Sequence, residues 1–246
     1  KLLQTNPHLH VVLMSATIHT SLYAEYFGKS DDGTFGPLDC ISVGARRFPV
    51  AVHYAEDLAH FQEGAGRGKV AKNNFSADDS VASKLRTCGQ LLVKECAKAT
   101  KDKVPQELAK HQYKAVLNLV RAVPTNGTGV LVFVSGINDI YELSLLFEPF
   151  PRFWVLAIHS DIPYDEQRLA FQPVPDNMVK VVLATNAAES SITLPDLDMV
   201  VDLGTHKPLM YNSQSHKTQL TNSWVSQASA TQRKGRTGRV RPGAVY

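Results

Sequence analysis

The chain has 246 residues, 43% hydrophobic and 20% charged, and its 26 basic and 23 acidic side chains leave a formal net charge of +3. That length holds one large α/β domain or parts of two, with enough apolar content for a buried core. No run approaches the ~18 apolar residues of a membrane-spanning helix, which excludes an integral membrane protein, and a balance of +3 is too mild to mark a nucleic-acid binder by itself.

Lys1 stands where an initiator Met would, and no apolar signal segment follows, so the chain is expected to be a piece of a longer protein. HVVLMSA (10–16) reads as a strand buried on both faces, and TSLYAEYFG as a helix with Leu22, Tyr26 and Phe27 on one face and Gly28 as its C-cap. DCISV (39–43) reads as another strand. Then GARRFPV changes the texture, and a domain boundary is placed near residue 46, with a new strand in VAVHY (50–54). Residues 56–105 carry GAGRGK and Lys-rich stretches with sparse apolar residues, which predicts a partly disordered surface insertion. Short helices fit within 81–98 and 105–121, the second ending before Pro124, and TNGTG (125–129) is a turn signal.

From residue 129 the chain alternates strand and helix: VLVFVS (130–135), helix 137–147, FWVLAI (153–158), helix 163–171, VKVVLAT (179–185) and LDMVVDLG (197–204). This rhythm predicts a mainly parallel α/β sheet flanked by helices, with functional loops at the strand C-termini. HKPLMYNSQSHKTQLTNSW (206–224) suits a β-hairpin around NSQS. Cys40, Cys88 and Cys96 form no CxxC pair, so a disulfide framework or zinc ribbon is not expected and a reducing, intracellular setting is. The nine histidines show no metal-ligand spacing, and no metal site is expected.

The most specific segment is ASATQRKGRTGRVRPGAVY (228–246). Its octet QRKGRTGR sets Gln232, Arg236 and Arg239 three to four residues apart, at helical spacing on one face, with Gly235 and Gly238 leaving room for close approach. Planar guanidinium forks bind phosphate oxygens, and an amide can orient an attacking water, so this face suits a polyphosphate. A solvated basic helix is the bland alternative, but it does not call for the glycines.

QRKGRTGR resembles motif VI of superfamily 2 helicases, in the form of the DEAH/RHA (DExH-box) group. Other landmarks fall in that family's order. MSAT (14–17) resembles motif III, VFVSG (132–136) motif IV, and ATNAAESSIT (184–193) with VVDLG (200–204) motif V. The resemblance covers nearly the whole chain outside 56–105. It implies a RecA-like, P-loop NTPase-type fold: residues 1–45 as the end of a first lobe and 46–246 as a second lobe, ATP between the lobes and single-stranded RNA across them. It further implies an ATP-dependent RNA helicase that couples NTP hydrolysis to 3′-to-5′ translocation and to unwinding or remodelling of RNA–protein assemblies, with RNP proteins or an activating protein as further partners.

Carried over residue by residue, the resemblance assigns Ser15 and Thr17 to the coupling of nucleotide state to lobe closure. Gln232, Arg236 and Arg239 face the phosphates, the arginines as arginine fingers, and Arg233 and Gly235 count with the nucleotide-binding group. Phe171 stacks on the base and Thr193 lies near the ribose. Ser135, Gly136, Thr185 and Asn186 touch the RNA backbone, and His159 and Ser160 line its path. Glu189, Ser190 and Ser191 complete the motif V loop, and the 206–224 hairpin acts as a strand-separating wedge. Mg²⁺ is assigned mainly to the first lobe.

Departures from the family pattern are Ala187 for Ile, Ser190 for Thr, Pro195 for an acidic residue and Thr237 for Ala. GAGRGK (64–69) mimics a Walker A loop, but Glu63 and Val70 break GxxxxGK[ST], and no Walker A loop or DExH box is present. The chain alone is therefore expected not to hydrolyse ATP. A catalytically silent helicase-like scaffold and a DNA-directed superfamily 2 translocase are the rival readings.

Overall fold

The computed structural model describes residues 6, 8–14, 20–28, 41, 48–61, 79–100, 103–105, 107–190, 194, 196–212 and 216–246. The chain divides into two compact units, Lys1–Ala45 and Arg46–Tyr246. In the first, helix α1 (Thr20–Gly28) forms where the sequence predicts it, and the Tyr26 and Phe27 rings meet edge to face at 4.9 Å. The strand predicted over 10–16 does not form in its described part: residues 10–14 are unpaired, and Val11 to Met14 are exposed. An apolar run becomes a strand only where a neighbour takes up its backbone N–H and C=O groups. Among the described residues of this unit there is no strand to do so. Of the strand predicted over 39–43 only Ile41 is described, and it too is exposed and outside any strand.

In the second unit the strands are, in chain order, β1 (Val50–Val52), β2 (Gly129–Phe133), β3 (Phe153–Ile158), β4 (Val179–Ala184), β5 (Leu197–Asp202), β6 (Thr205–His206), β7 (Leu209–Asn212), β8 (Lys217–Leu220), β9 (Ser223–Trp224) and β10 (Gly243–Val245). Six of them form one sheet in the order β1-β10-β5-β2-β4-β3, parallel at every pairing. β2 and β4 are buried along their whole length, which is why GVLVF and, Lys180 apart, VKVVLA read as apolar runs rather than alternating ones. On one face Val130, Val132, Val181, Leu183 and Val201 join a core, and on the other Leu131, Phe133, Val182, Ala184 and Val200 join a second. Each such buried Val, Leu or Phe side chain contributes about 1.5–3 kcal/mol.

The helices of this unit are α2 (Ala55–Ala59), α3 (Asp79–Cys96), α4 (Leu108–Ala122), α5 (Ile137–Phe147), α6 (Tyr164–Arg168) continued by a 3₁₀ turn (Leu169–Phe171), α7 (Ala187–Ser190) and α8 (Gln227–Lys234). α3, α4 and α5 cover the first face through Leu85, Leu119 and Leu143, each fully buried. The strand-and-helix alternation predicted from residue 129 onward is therefore present, element by element.

The surface insertion predicted over 56–105 is corrected in its described part. Residues 62–78, which include GAGRGK, lie outside the described residues. Residues 79–96, however, form an 18-residue helix whose Val81, Ala82, Leu85, Cys88 and Leu92 are buried. Those positions recur at helical spacing, an apolar stripe that the surrounding lysines and polar residues dilute in any count of composition. Gly89 faces α2 so closely that a Cβ there would run into the backbone of Leu58 and Ala59. Trp224 Nε1 also donates to the Thr100 carbonyl at 3.0 Å, tying the segment after α3 to β9.

Register then sets the site. Phe133 is opposite both Ala184 and Asp202, and Ile158 is opposite Ala184, so β3, β4, β2 and β5 end level. Residues 134, 159, 185 and 203 consequently leave the sheet along one edge. Because α3 belongs to the core, Leu85→Ala is expected to cost about 2–5 kcal/mol in urea unfolding; a cost within about 0.5 kcal/mol would restore the surface-insertion reading.

Candidate functional site

The level edge gathers Ser135 and Gly136 after β2, His159 and Ser160 after β3, and Thr185 and Asn186 after β4. The β2 loop is held by an acid that the sequence reading passed over. Asp139, on the first turn of α5, accepts the backbone N–H of Ser135 at 2.8 Å and of Gly136 at 3.0 Å on Oδ2. Its Oδ1 accepts the Tyr113 hydroxyl at 2.6 Å and faces Lys207 Nζ at 3.9 Å. Burial, and the bond to Asp139, push the Tyr113 hydroxyl well above the ordinary tyrosine range. The spacing itself was legible: an acid three residues past an N-cap is the usual acceptor for loose N–H groups at a helix start.

Ser135 Oγ lies 2.6 Å from Thr205 Oγ1, joining the β2 loop to β6. Gln112 Nε2 donates to the Leu203 carbonyl at 2.7 Å and fixes the chain just after β5. After β3, the Asp161 N–H donates to His159 Nδ1 at 3.1 Å, and Ser160 Oγ donates to Asp161 Oδ1 at 3.1 Å, so both residues belong to one tight turn. After β4, Thr185 is half-buried and Asn186 exposed; Asn186 Nδ2 donates to His206 Nδ1 at 3.2 Å.

The arginine octet takes a shape different from the predicted one. α8, capped by Ser226 Oγ accepting the Ser229 N–H, ends at Lys234, with Gly235 as its C-cap. Gln232 is on the helix, but Arg236 and Arg239 follow it, so a single helical face does not carry all three. The chain turns because Gly238 sits at φ +74°, where a Cβ would strike the Val50 side chain. Thr237, read as a tolerable helix substitution, is instead buried in the turn and donates from Oγ1 to the Leu197 carbonyl at 3.0 Å. Arg239 Nε donates to the Gly235 carbonyl at 3.2 Å.

The five basic residues of 233–241 divide by role. Arg241 Nε pairs with Asp198 Oδ1, and its other nitrogen reaches Oδ2 at 2.6 Å, a bidentate clamp on β5. Arg233, predicted to bind the nucleotide, is 0% exposed and cannot reach a ligand. It donates to Glu189 Oε2 at 3.2 Å, Asp202 Oδ1 at 2.6 Å and Asn186 Oδ1 at 2.5 Å, with its guanidinium 4.8 Å from the Phe133 ring centroid. That placement corrects the reading of Arg233: its side chain serves the interior. Arg236 and Arg239 remain as the cationic pair of the turn. Burial and the neighbouring Arg239 charge both pull the Arg236 guanidinium below its usual range, while Glu189 opposes them. Two neighbouring guanidinium groups on one turn suit an anion.

Phe171, at the end of the 3₁₀ turn, is 42% exposed. Its segment rests on Lys180, which is fully buried within β4 and donates from Nζ to the carbonyls of Ala170 at 3.2 Å and Gln172 at 2.7 Å. Burial pulls the Lys180 ammonium below its usual range. A lone Lys inside an apolar strand was the available sequence signal. Ser15, Thr17, Ser191 and Thr193 lie outside the described residues. The predicted hairpin forms: β7 pairs antiparallel with β8, Leu209 opposite Leu220, above a stem made by β6 and β9. Leu209, Met210, Tyr211 and Leu220 are all exposed on it. Among the described residues no group of three or more His, Cys, Asp or Glu could hold a metal ion, and no helix is long and apolar enough to cross a membrane.

The parallel sheet delivers polar groups to one edge, while the turn that carries Arg236 and Arg239 packs against the starts of β1 and β5; this is an α/β module of a known class. The family model for the helicase conserved C-terminal domain matches residues 111–241, and this chain belongs to that family, in the DEAH/RHA group of superfamily 2 helicases. Over 269 residues it is 31% identical to a putative DEAH-box ATP-dependent helicase of Mycosarcoma maydis, covering 100% of this chain and 17% of that protein. It is likewise 31% identical over 269 residues to the DExH-box ATP-dependent RNA helicase DExH1 of Arabidopsis thaliana, covering 100% of this chain and 26% of the relative. The chain thus spans about a quarter or less of the length of these relatives. The crystal structure of the E. coli DExH-box NTPase HrpB superposes with a TM-score of 0.52 at 24% identity, over 68% of this chain and 25% of that one, and shares the RecA-like fold.

Asp139→Ala is expected to strand the Ser135 and Gly136 N–H groups and the Tyr113 hydroxyl, at a cost of about 3 kcal/mol in urea unfolding. Asp139→Asn, which keeps one acceptor oxygen, should recover part of it.

Proposed function

We propose that this chain is the nucleotide- and RNA-engaging part of an ATP-dependent RNA helicase of the DEAH/RHA type: the end of a first RecA-like lobe (1–45) followed by the second (46–246). The intact enzyme couples NTP hydrolysis to movement along single-stranded RNA and to unwinding or remodelling of RNA–protein assemblies. The observation that supports this best is the Arg236–Arg239 turn, held against the same sheet whose strand ends present Ser135, Gly136, Thr185 and Asn186.

In this reading Arg236 and Arg239 bind the outer phosphates of ATP and stabilise the charge that develops on the transferring phosphoryl group. Gln232 orients the attacking water, and Gly235 lets the backbone approach. Phe171, propped by Lys180, stacks on the base, a contact indifferent to base identity. Thr193 serves the ribose, and Ser15 and Thr17 couple nucleotide state to closure. In this reading Mg²⁺ falls mainly to the first lobe. With no GxxxxGK[ST] stretch in its sequence, this chain needs the rest of the enzyme for turnover.

On the RNA side, short hydroxyl and amide groups at the strand ends bond phosphates and 2′-hydroxyls without reading bases. His159 and Ser160 extend that path. The exposed apolar side chains of the hairpin β7–β8 support its reading as a wedge between paired strands.

In the full-length protein, Arg236→Ala or Arg239→Ala is expected to abolish RNA-stimulated ATPase activity; unchanged turnover would remove the arginine-finger assignment. Thr185→Ala should lower RNA stimulation more than basal hydrolysis. RNA should stimulate more strongly than DNA of the same sequence at matched salt. Equal or stronger stimulation by DNA would favour the DNA translocase, and a parent protein without turnover the silent scaffold.

A further inference from the structure

The octet has one fully buried arginine, Arg233. Arg233 lies on α8, and its backbone carbonyl accepts the Arg236 N–H at 3.0 Å, so the two residues share one rigid turn. Its fully buried guanidinium grips three acceptors from elsewhere in the fold. Asn186 and Glu189 come from the loop and helix that follow β4, and Asp202 from the end of β5. Asp202 Oδ1 also accepts the Gly204 N–H at 2.9 Å, and the Phe133 ring closes the guanidinium face.

Each bond points in a different direction, which the planar fork of an arginine meets and the point charge of a lysine does not. With its Oδ1 taken by Arg233, Asn186 can turn only its amide Nδ2 toward the exposed edge, where it already meets His206 Nδ1 at 3.2 Å. Glu189 touches Arg233 on one side and lies within electrostatic reach of Arg236 on the other. A displacement of the Arg236 turn must therefore either carry Asn186 and Glu189 with it or break a charge-assisted bond inside the protein. The latter is the costly choice.

We infer that Arg233 is a positioning residue that joins the Arg236–Arg239 turn to the Asn186 edge, so that the state of the bound nucleotide and the grip on RNA are read through one buried guanidinium. Glu189 is the second half of the joint. This rests on the reading of Arg236 as a phosphate contact and Asn186 as an RNA contact. It assigns to Arg233 neither of those contacts but the coupling between them.

The test uses the full-length protein with Glu189→Gln, which keeps an acceptor but removes the charge, and Arg233→Lys, which keeps the charge but loses the fork. Four quantities are measured: thermal unfolding, anisotropy of a labelled single-stranded oligouridine, binding of a fluorescent ATP analogue, and turnover with and without saturating poly(U). The expected result for Glu189→Gln is a melting transition and separate RNA and nucleotide affinities near those of the parent. The RNA concentration for half-stimulation should hardly move, while the ratio of stimulated to basal turnover falls about tenfold, within the usual span of site-to-site coupling. Arg233→Lys should show the same loss of ratio, and the double variant no more than the worse single one.

An unchanged ratio in folded Glu189→Gln overturns the joint, as does a loss that more RNA restores. If Arg233→Lys does not fold, the Glu189→Gln result decides alone. A parent that RNA does not stimulate, or an Arg236→Ala variant with full turnover, would instead overturn the helicase reading on which the joint stands.

Discussion

The second unit is organised around one buried positive charge. A guanidinium removed from water is tolerable only if its donors are met, and the Arg233 fork meets Asn186, Glu189 and Asp202 at once. Meeting them fixes the distance between α8, the turn after β4 and the end of β5. Those elements are far apart in sequence, and the sheet register alone would leave the position of α8 undetermined. The bidentate clamp from Arg241 to Asp198 and the Thr237 hydroxyl on Leu197 secure the other side of the same turn. Arg236 and Arg239 are thereby carried on a segment anchored at both ends, which gives two repelling cations a fixed separation.

A second organising constraint is the level ending of the central strands. Parallel strands that stop in register deliver their following residues to one edge, so polar groups from four crossovers meet without any long loop. Asp139, Gln112 and Lys207 then stiffen that edge from behind. None of them needs to touch a ligand for the edge to keep its shape.

Much of this was legible in the residues. Strands that need no special partner, such as VLVF and FWVLAI, declare themselves by length and β-branching, and the octet declares itself by its glycines. Four things were not legible. The run 10–14 looks like a strand because its pattern is apolar, but pairing is a property of neighbours. The burial of α3 was hidden because composition averages over a window, whereas burial selects one stripe of the helix: Val81, Leu85, Cys88 and Leu92. Arg233 and Arg236 are the same residue type three places apart, and only the tertiary positions of Glu189 and Asp202 decide which points inward. Gly238 was read as a spacer on a helix, whereas its positive φ ends any possibility of one.

The hairpin above the β6–β9 stem has a length rule built into it. Each arm has four residues and reaches about 13 Å at the usual rise per strand residue. Leu209 and Leu220 face one another across the ladder, and strand side chains alternate. Growth by two residues in each arm would extend the reach by about 7 Å and leave the apolar side unchanged. Growth by one would turn every side chain over and present the opposite surface. The stem, paired separately, would keep its register in either case, so this projection can change length in even steps independently of the sheet that carries it.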